Sequence, residues 1–182
     1  MKADVISKES YDIYQYGFQL GLEILSYFIV TFGIGLYLHM IPEFIVFMSI
    51  FMLLRTYIGG VHLDTFAGCF VCSVTVQTSV LLIEKHYTFI LPIAWLIIVS
   101  GSILILIAAP VENINRELDM DEKRHCKKVS IKIVISIVLF AASCTLAGGN
   151  DMVSLTASTI LVVLISQYLG IVKYKVEKNR QI

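Results

Sequence analysis

The chain has 182 residues, of which 57% are hydrophobic and only 15% are charged, and its mean hydropathy is +0.82. Ordinary soluble domains are about 45–50% apolar. This chain has too few charged side chains to cover a water-exposed surface, so the composition predicts an all-α integral membrane protein. The formal net charge is +0, which argues against nucleic acid as a partner.

Residues 1–17 mix charged and apolar side chains ahead of the first long apolar run. At helical spacing, one face of this segment carries the polar residues Asp4, Lys8, Asp12, Gln15 and Gln19. The pattern predicts an N-terminal amphipathic helix at the cytoplasmic membrane interface, with a frayed cytoplasmic tail as the alternative.

Six apolar runs follow, at residues 18–38, 42–57, 67–83, 89–109, 133–147 and 152–172. A transmembrane helix needs about 20 residues, with a range of roughly 17–25. The first, fourth and sixth runs satisfy this requirement. The second run is short, the third contains several polar residues, and the fifth needs Lys132 or the residues up to Gly149 to be long enough. The runs predict one domain, residues 1–182, built as a bundle of about six transmembrane helices.

The distribution of basic residues predicts the orientation of this bundle. With six spans, every lysine and arginine except Lys85 falls on one side of the membrane. Cytoplasmic loops collect Lys and Arg, so we predict that both termini are cytoplasmic. The same partition predicts a basic cytoplasmic loop at residues 111–130 and a cytoplasmic tail at residues 173–182.

The border between the second and third spans contains a cysteine with the features of a nucleophile. Cys69 falls in the first turn of the third span, where unpaired backbone N–H groups and the helix dipole favour a thiolate. A thiolate is the species that attacks a peptide carbonyl. The alternative is a buried and inert cysteine, because unmodified cysteine is among the most buried residue types.

His62 precedes Cys69 by seven residues, which on a straight helix places the two side chains on one face but about 10 Å apart. A general base must lie within roughly 3 Å of its nucleophile. The pair can act together only if the chain bends, and Gly59, Gly60 and Gly68 would allow that bend. His62 alone would be interpreted as an interfacial histidine, whereas His62 and Cys69 beside three glycines favour catalysis.

Two motifs carry a family resemblance that covers nearly the whole chain. Arg55, the pair Gly59-Gly60, His62 and Cys69 resemble the accessory gene regulator B (AgrB) family of bacterial quorum sensing. The later segment, Pro110-Val-Glu-Asn-Ile-Asn-Arg-Glu-Leu118, is similar to the cytoplasmic Pro-x-Glu-x-x-Asn-(Lys/Arg)-x-Leu motif of that family.

The resemblance implies a multi-pass cysteine endopeptidase of the bacterial plasma membrane that processes the AgrD propeptide, with no metal or cofactor. By this analogy Cys69 is the nucleophile and His62 the general base. Cys69 would release the C-terminal part of the propeptide and retain the rest as a thioester. A cysteine or serine of the peptide would then close a thiolactone or lactone ring. The family also suggests a homodimer, for which the small residues Ala141, Ala142 and Ser143 would permit close helix contact.

Several charged residues have two interpretations. Arg55 matches the family's arginine and would stabilise charge or position substrate carboxylates, or else extend to the headgroups as an anchor. Lys127 and Lys128 belong to a basic face that would set the topology and contact anionic lipid, or recognise an acidic part of the propeptide. Asp64 could orient His62, and Glu23 within the first span needs either a cationic partner or a function.

Other patterns in the chain point to different classes of function. Cys69 and Cys72 form a Cys-x-x-Cys motif, but with too few neighbouring ligands to predict zinc. Cys126, next to a histidine in the basic segment, is interpreted as incidental. The rival to a peptidase is a small membrane transport or export module, in which Thr75, Gln77 and Thr78 of the third span would line a path. A non-catalytic scaffold is the third possibility.

Overall fold

The computed structural model describes residues 8–61, 65–111 and 119–180, and these residues form helices without a strand. The helices, in chain order, are α1 (Lys8–Leu38), α2 (Ile41–Ile58), α3 (Phe66–His86), α4 (Leu91–Ala108), α5 (Met120–Leu146) and α6 (Asn150–Arg180). The all-α bundle expected from the composition is therefore confirmed.

The helices have the length and the surface of a membrane bundle. Helices α2 to α6 are each long and apolar enough to cross a bilayer, and α1 contributes the apolar stretch Ile24–Leu38. Large apolar side chains such as Leu25, Leu53, Leu96 and Ile107 are exposed on the outside of the bundle. Because a soluble protein does not leave so much continuous apolar surface in water, lipid must cover these faces. The short second run and the polar third run both form helices of spanning length.

Three helices extend beyond the apolar runs, which corrects two predicted segments. Residues 120–130, predicted as a loop, form the first turns of α5, and residues 173–180, predicted as a tail, continue α6. Helix α1 is continuous from Lys8, so the N-terminal amphipathic segment and the first span share one helix, while residues 1–7 lie outside the described residues. Hydropathy marks only the part of a helix that lipid covers, whereas the helix itself continues as long as its backbone bonds do.

A local signal fixes where α5 begins. Asp119 and Glu122 form a capping box, in which each side chain accepts a hydrogen bond from the other residue's backbone N–H. The capped helix then has 27 residues, which corresponds to a length of about 40 Å. The hydrocarbon core of a bilayer is only about 30 Å thick, so the basic first turns of α5 project beyond it.

Helix α6 is the centre of the bundle. It packs against α2, α3, α4 and α5, whereas α1 packs on α3 and α2. Small and hydroxylated residues allow this close packing. The buried hydroxyls of Thr156 and Thr159 donate to carbonyls of their own helix, each at 2.7 Å. Helix α6 therefore brings these two hydroxyls into the core without losing their hydrogen bonds.

Short connections after α1, α3 and α5 make successive helices antiparallel. The end of α2, the beginning of α3, the end of α4, the beginning of α5 and the end of α6 consequently lie at the same end of the bundle. We call this the Cys69 end. Backbone hydrogen bonds, described below, join the end of α2 to the chain after α4, and the chain after α2 to the middle of α6.

Gly101 of α4 tests the contact between α4 and α6. A Cβ at this buried position would lie 2.5 Å from Cγ2 of Ile160, so Gly101→Ala overpacks the core and should lower stability by about 1–3 kcal/mol. Thermal unfolding of the detergent-solubilised protein measures this loss. Gly33→Ala in α1 is the matched control, because a Cβ there meets nothing within 4 Å. A melting temperature of Gly101→Ala equal to that of Gly33→Ala would contradict the packing.

Candidate active site

A sharp bend separates α2 from α3. Gly59 ends α2 in the left-handed region, with φ +82, and a Cβ there would lie 2.7 Å from the Val111 carbonyl oxygen. The N–H of Val111 in turn donates to the carbonyl of Ile58 at 2.8 Å. Gly59 therefore ends α2 and lets the chain leave the helix against Val111. His62 and Asp64 belong to residues 62–64, outside the described residues, so the approach of His62 to Cys69 stays a prediction.

Cys69 lies in the first turn of α3, as the sequence predicted. The N-cap residue is Thr65, whose hydroxyl accepts from the N–H of Gly68 at 3.3 Å and whose carbonyl accepts from the N–H of Cys69 at 3.0 Å. The thiol is half-buried at this helix N-terminus, where the helix dipole favours negative charge. The interpretation of Cys69 as a nucleophile required the thiol to lie at this position.

Arg55 points into the bundle rather than toward the headgroups. Its guanidinium donates to the hydroxyl of Ser166 on α6 at 2.7 Å and to the carbonyl oxygen of Val61. It also lies over the ring of Phe51, 5.7 Å from the ring centroid. An arginine that extends along the surface as an anchor would not make these contacts, so Arg55 is part of the interior of the site.

The guanidinium of Arg55 is within electrostatic range of two thiols. It interacts electrostatically with Cys69 and Cys72 and with the hydroxyl of Tyr27. A cation close to a cysteine stabilises the thiolate form. None of the four cysteines forms a disulfide.

Helix α6 contacts the segment between α2 and α3 directly. The N–H of Val61 donates to the carbonyl oxygen of Ser166 at 3.0 Å. A Cβ on Gly60 would lie 2.9 Å from the hydroxyl of Ser166, and one on Gly170 would lie 2.7 Å from the carbonyl carbon of Gly60. The sequence reasoning missed Ser166 and Gly170. A single serine and a single glycine in an apolar run carry no signal until the fold shows what they touch.

The two predicted substrate-binding lysines do not contact Arg55, Ser166 or residues 59–61 in the described structure. Lys127 and Lys128 are exposed on α5 at the Cys69 end of the bundle. They form part of the helical surface that projects beyond the bilayer, instead of the loop that the sequence predicted. Cys126 is half-buried on the same helix. Glu23 belongs to α1, but its side chain lies outside the described residues.

The polar residues of α3 differ in their burial. Gln77 is 1% exposed and its side-chain oxygen accepts from the hydroxyl of Tyr27, so it fills the contact between α1 and α3. Thr75, two residues earlier and hence about 200° away around the helix, is exposed. The transport module that these residues suggested stays an alternative. Ala141 is fully buried inside the single chain, so it offers no surface for a homodimer, which stays a prediction.

Two further features lie away from Cys69. Glu84, near the opposite end of α3, is 8% exposed and accepts from the hydroxyl of Ser158 at 2.5 Å, a burial that the sequence reasoning missed. A mostly apolar cavity of about 370 Å³ lies between α2 and α5, with Leu53 and Lys132 among its lining residues. Neither feature includes a residue of the segment between α2 and α3.

These observations define a multi-pass α-helical membrane protein with a cysteine at a helix N-terminus, beside an arginine held inside the bundle. The family profile described as accessory gene regulator B matches residues 1–174. The chain therefore belongs to the AgrB family, as its two motifs indicated.

Two relatives agree with this family. An AgrB-like protein of Clostridium perfringens is 28% identical over 140 residues, which cover 72% of this chain and 65% of the relative. An AgrB-like protein of Clostridium beijerinckii is 28% identical over 163 residues, which cover 88% of this chain and 81% of the relative. The match thus spans slightly less than two thirds of the C. perfringens protein. No solved structure matches the chain.

Substitution of Arg55 tests its electrostatic contact with Cys69. Arg55→Gln keeps a polar side chain but removes the cation, so we expect alkylation of Cys69 by iodoacetamide at neutral pH to slow several-fold. The rate is measured by mass spectrometry of the labelled peptide, in a Cys72→Ser, Cys126→Ser and Cys144→Ser background. Lys128→Gln, which removes an exposed cation from α5, is the control. Equal rates for the two variants would contradict the contact.

Proposed function

We propose that this chain is a membrane-embedded cysteine endopeptidase that processes an AgrD-type propeptide in quorum sensing. Membership of the AgrB family supports the biological setting. The observation that supports the chemistry is the position of Cys69, in the first turn of α3 and within electrostatic reach of the Arg55 guanidinium. A cysteine so placed is suited to act as a thiolate nucleophile, and an inert core cysteine needs neither feature.

In the first step, the sulfur of Cys69 attacks the carbonyl carbon of the scissile peptide bond. The tetrahedral intermediate collapses when the C–N bond breaks, and His62 as an imidazolium transfers a proton to the departing amine. The C-terminal part of the propeptide leaves, and the N-terminal part stays on Cys69 as a thioester. The positive end of α3 favours the negative charge that develops next to Cys69.

In the second step, a cysteine or serine of the bound peptide attacks the thioester carbonyl. Its proton passes to His62, the ring closes as a thiolactone or lactone, and Cys69 leaves as the thiolate. Transfer of an acyl group between two thiols is nearly balanced in free energy, whereas formation of a thioester from an amide is uphill. Water would hydrolyse the intermediate, and a site at the membrane boundary helps to exclude it.

The charged residues divide into two roles in this proposal. Arg55 donates hydrogen bonds to Ser166 and Val61, so it supplies positive charge inside the site. Lys127 and Lys128 are exposed at the same end of the bundle and are available to an acidic part of the propeptide. Long-range electrostatic attraction of this kind would bring the substrate to Cys69 without a preformed binding pocket.

Processing in cells tests the proposed reaction. The chain is co-expressed with an epitope-tagged AgrD-type propeptide from the same organism, and immunoblotting measures the shortened product. Cys69→Ala and His62→Ala should abolish the product, because they remove the nucleophile and the base. Cys126→Ser should leave it intact, because Cys126 lies on α5.

The same assay traps the intermediate. Mass spectrometry of the wild-type chain should find a propeptide fragment attached to Cys69 that hydroxylamine releases, as expected for a thioester. Continued cleavage by Cys69→Ala at the wild-type rate would rule out the peptidase. Loss of cleavage in Cys126→Ser would place the nucleophile on the wrong helix.

The orientation of the bundle is part of the proposal, and labelling tests it. If Lys and Arg lie mainly in the cytoplasm, the Cys69 end faces inward and the connection after α3 faces outward. In a chain whose native cysteines are replaced by serine, a cysteine introduced at the exposed position Tyr87 should react with a membrane-impermeant maleimide in intact cells. A cysteine at the exposed position Asp121 should react only after lysis. The reverse result would invert the topology.

A further inference from the structure

Both backbone polar groups of Val61 are bonded to other parts of the protein. Its N–H donates to the carbonyl oxygen of Ser166 at 3.0 Å, and its carbonyl oxygen accepts from the guanidinium of Arg55. Val61 directly precedes His62 in the chain. These two bonds therefore fix the point from which the chain continues toward α3 and Cys69.

Ser166 makes two of the contacts at once. Its carbonyl oxygen holds Val61, and its hydroxyl accepts from Arg55 at 2.7 Å. One residue of α6 thus holds both the segment between α2 and α3 and the cation that faces Cys69. Ser166 is far from Cys69 in sequence, and it belongs to a helix that supplies no group to the proposed reaction.

Gly170 lies one turn beyond Ser166 and allows the segment to approach α6. A Cβ at Gly170 would lie 2.7 Å from the carbonyl carbon of Gly60 and 2.9 Å from the nitrogen of Val61. Both of these are backbone atoms, which cannot rotate away as the end of a flexible side chain can. An alanine at position 170 must therefore push the segment off α6 or distort it.

We infer that Ser166 and Gly170 are positioning residues of the site: α6 holds Arg55 and residues 59–61 where the chemistry at Cys69 needs them. The inference rests on the proposed peptidase function and extends the proposed site to α6. Misplacement of a reacting group by about 1 Å can cost on the order of 100-fold in rate. The contacts at Ser166 and Gly170 are therefore expected to affect processing far more than an average packing contact does.

The first test is the rate of propeptide processing by the full chain in membranes. Gly170→Ala should lower this rate by at least about 10-fold. Gly101→Ala is the matched control, since it also places a Cβ against α6 but away from the site. Positioning predicts that Gly170→Ala loses far more activity than Gly101→Ala for the same fall in melting temperature. If both variants lose activity in proportion to their fall in melting temperature, the inference is overturned.

A milder substitution guards against a Gly170 variant that fails to fold. Ser166→Ala removes only the hydroxyl that accepts from Arg55, so processing should fall by about 10-fold, as expected for a lost hydrogen bond to a charged group. Alkylation of Cys69 should slow by no more than it does in Arg55→Gln. Ser166→Thr keeps a hydroxyl and should restore both. Ser100→Ala is the control, because that exposed hydroxyl bonds to the carbonyl of Leu96 in its own helix. Wild-type rates for Ser166→Ala would overturn the inference.

A double-mutant cycle separates positioning of Arg55 from general damage. If Ser166 acts through Arg55, the variant with Ser166→Ala and Arg55→Gln should alkylate at Cys69 no more slowly than Arg55→Gln alone. Additive effects would refute the route through Arg55. The two proposals can also fail separately. Cleavage by Cys69→Ala refutes the peptidase proposal. If Cys69→Ala is inactive while the Ser166 and Gly170 variants are fully active, only the positioning role is refuted.

Discussion

At a membrane boundary, a chain that leaves a helix must find partners inside the protein for its backbone N–H and carbonyl groups. The break between α2 and α3 satisfies this constraint with groups from distant parts of the chain. Val111, after α4, donates to the end of α2 at Ile58, Ser166 of α6 accepts from Val61, and Arg55 donates to Val61 from the other side. The end of α2, the chain after α4 and the middle of α6 are therefore joined in one cluster, and α3 with Cys69 is the next helix along the chain. The geometry at the thiol is thus a property of the assembled bundle rather than of the local motif.

Arg55 shows why this cluster is suited to chemistry. A cation inside a bundle is costly unless hydrogen bonds and nearby negative charge compensate it. The planar guanidinium reaches Ser166 and Val61 together while it stacks over Phe51, a geometry that a lysine ammonium cannot reproduce. Electrostatic interactions with Cys69, Cys72 and Tyr27 also stabilise the charged guanidinium. Arg55 thus has a structural role in the cluster and, in the proposed reaction, an electrostatic role at Cys69.

The sequence allowed the helices, the early position of Cys69 in α3 and the bend at Gly59 to be predicted, because each has a local signal: an apolar run, a composition change or a glycine at a helix end. It did not reveal how far α5 and α6 continue, since hydropathy ends where lipid ends, although the capping box at Asp119 was readable and could have located the start of α5. The roles of Ser166 and Gly170 could not be derived from the sequence at all. Their partners lie more than a hundred residues away, and nothing in an apolar run distinguishes a serine or glycine that contacts another segment from one that faces lipid.

The interior of the bundle also bears on which function the Cys69 end can support. Below Cys69, the contact between α1 and α3 is closed by Gln77, which is bonded to Tyr27, and by the fully buried Leu81. Glu84 lies fifteen residues from Cys69 along α3, about 22 Å away at the helical rise, and its bonded partner is Ser158 of α6. A substrate path along this face of α3 would have to break both of these contacts. The proposed acyl transfer needs no such opening, because Cys69, Arg55 and the bend at Gly59 all lie toward the Cys69 end of the bundle.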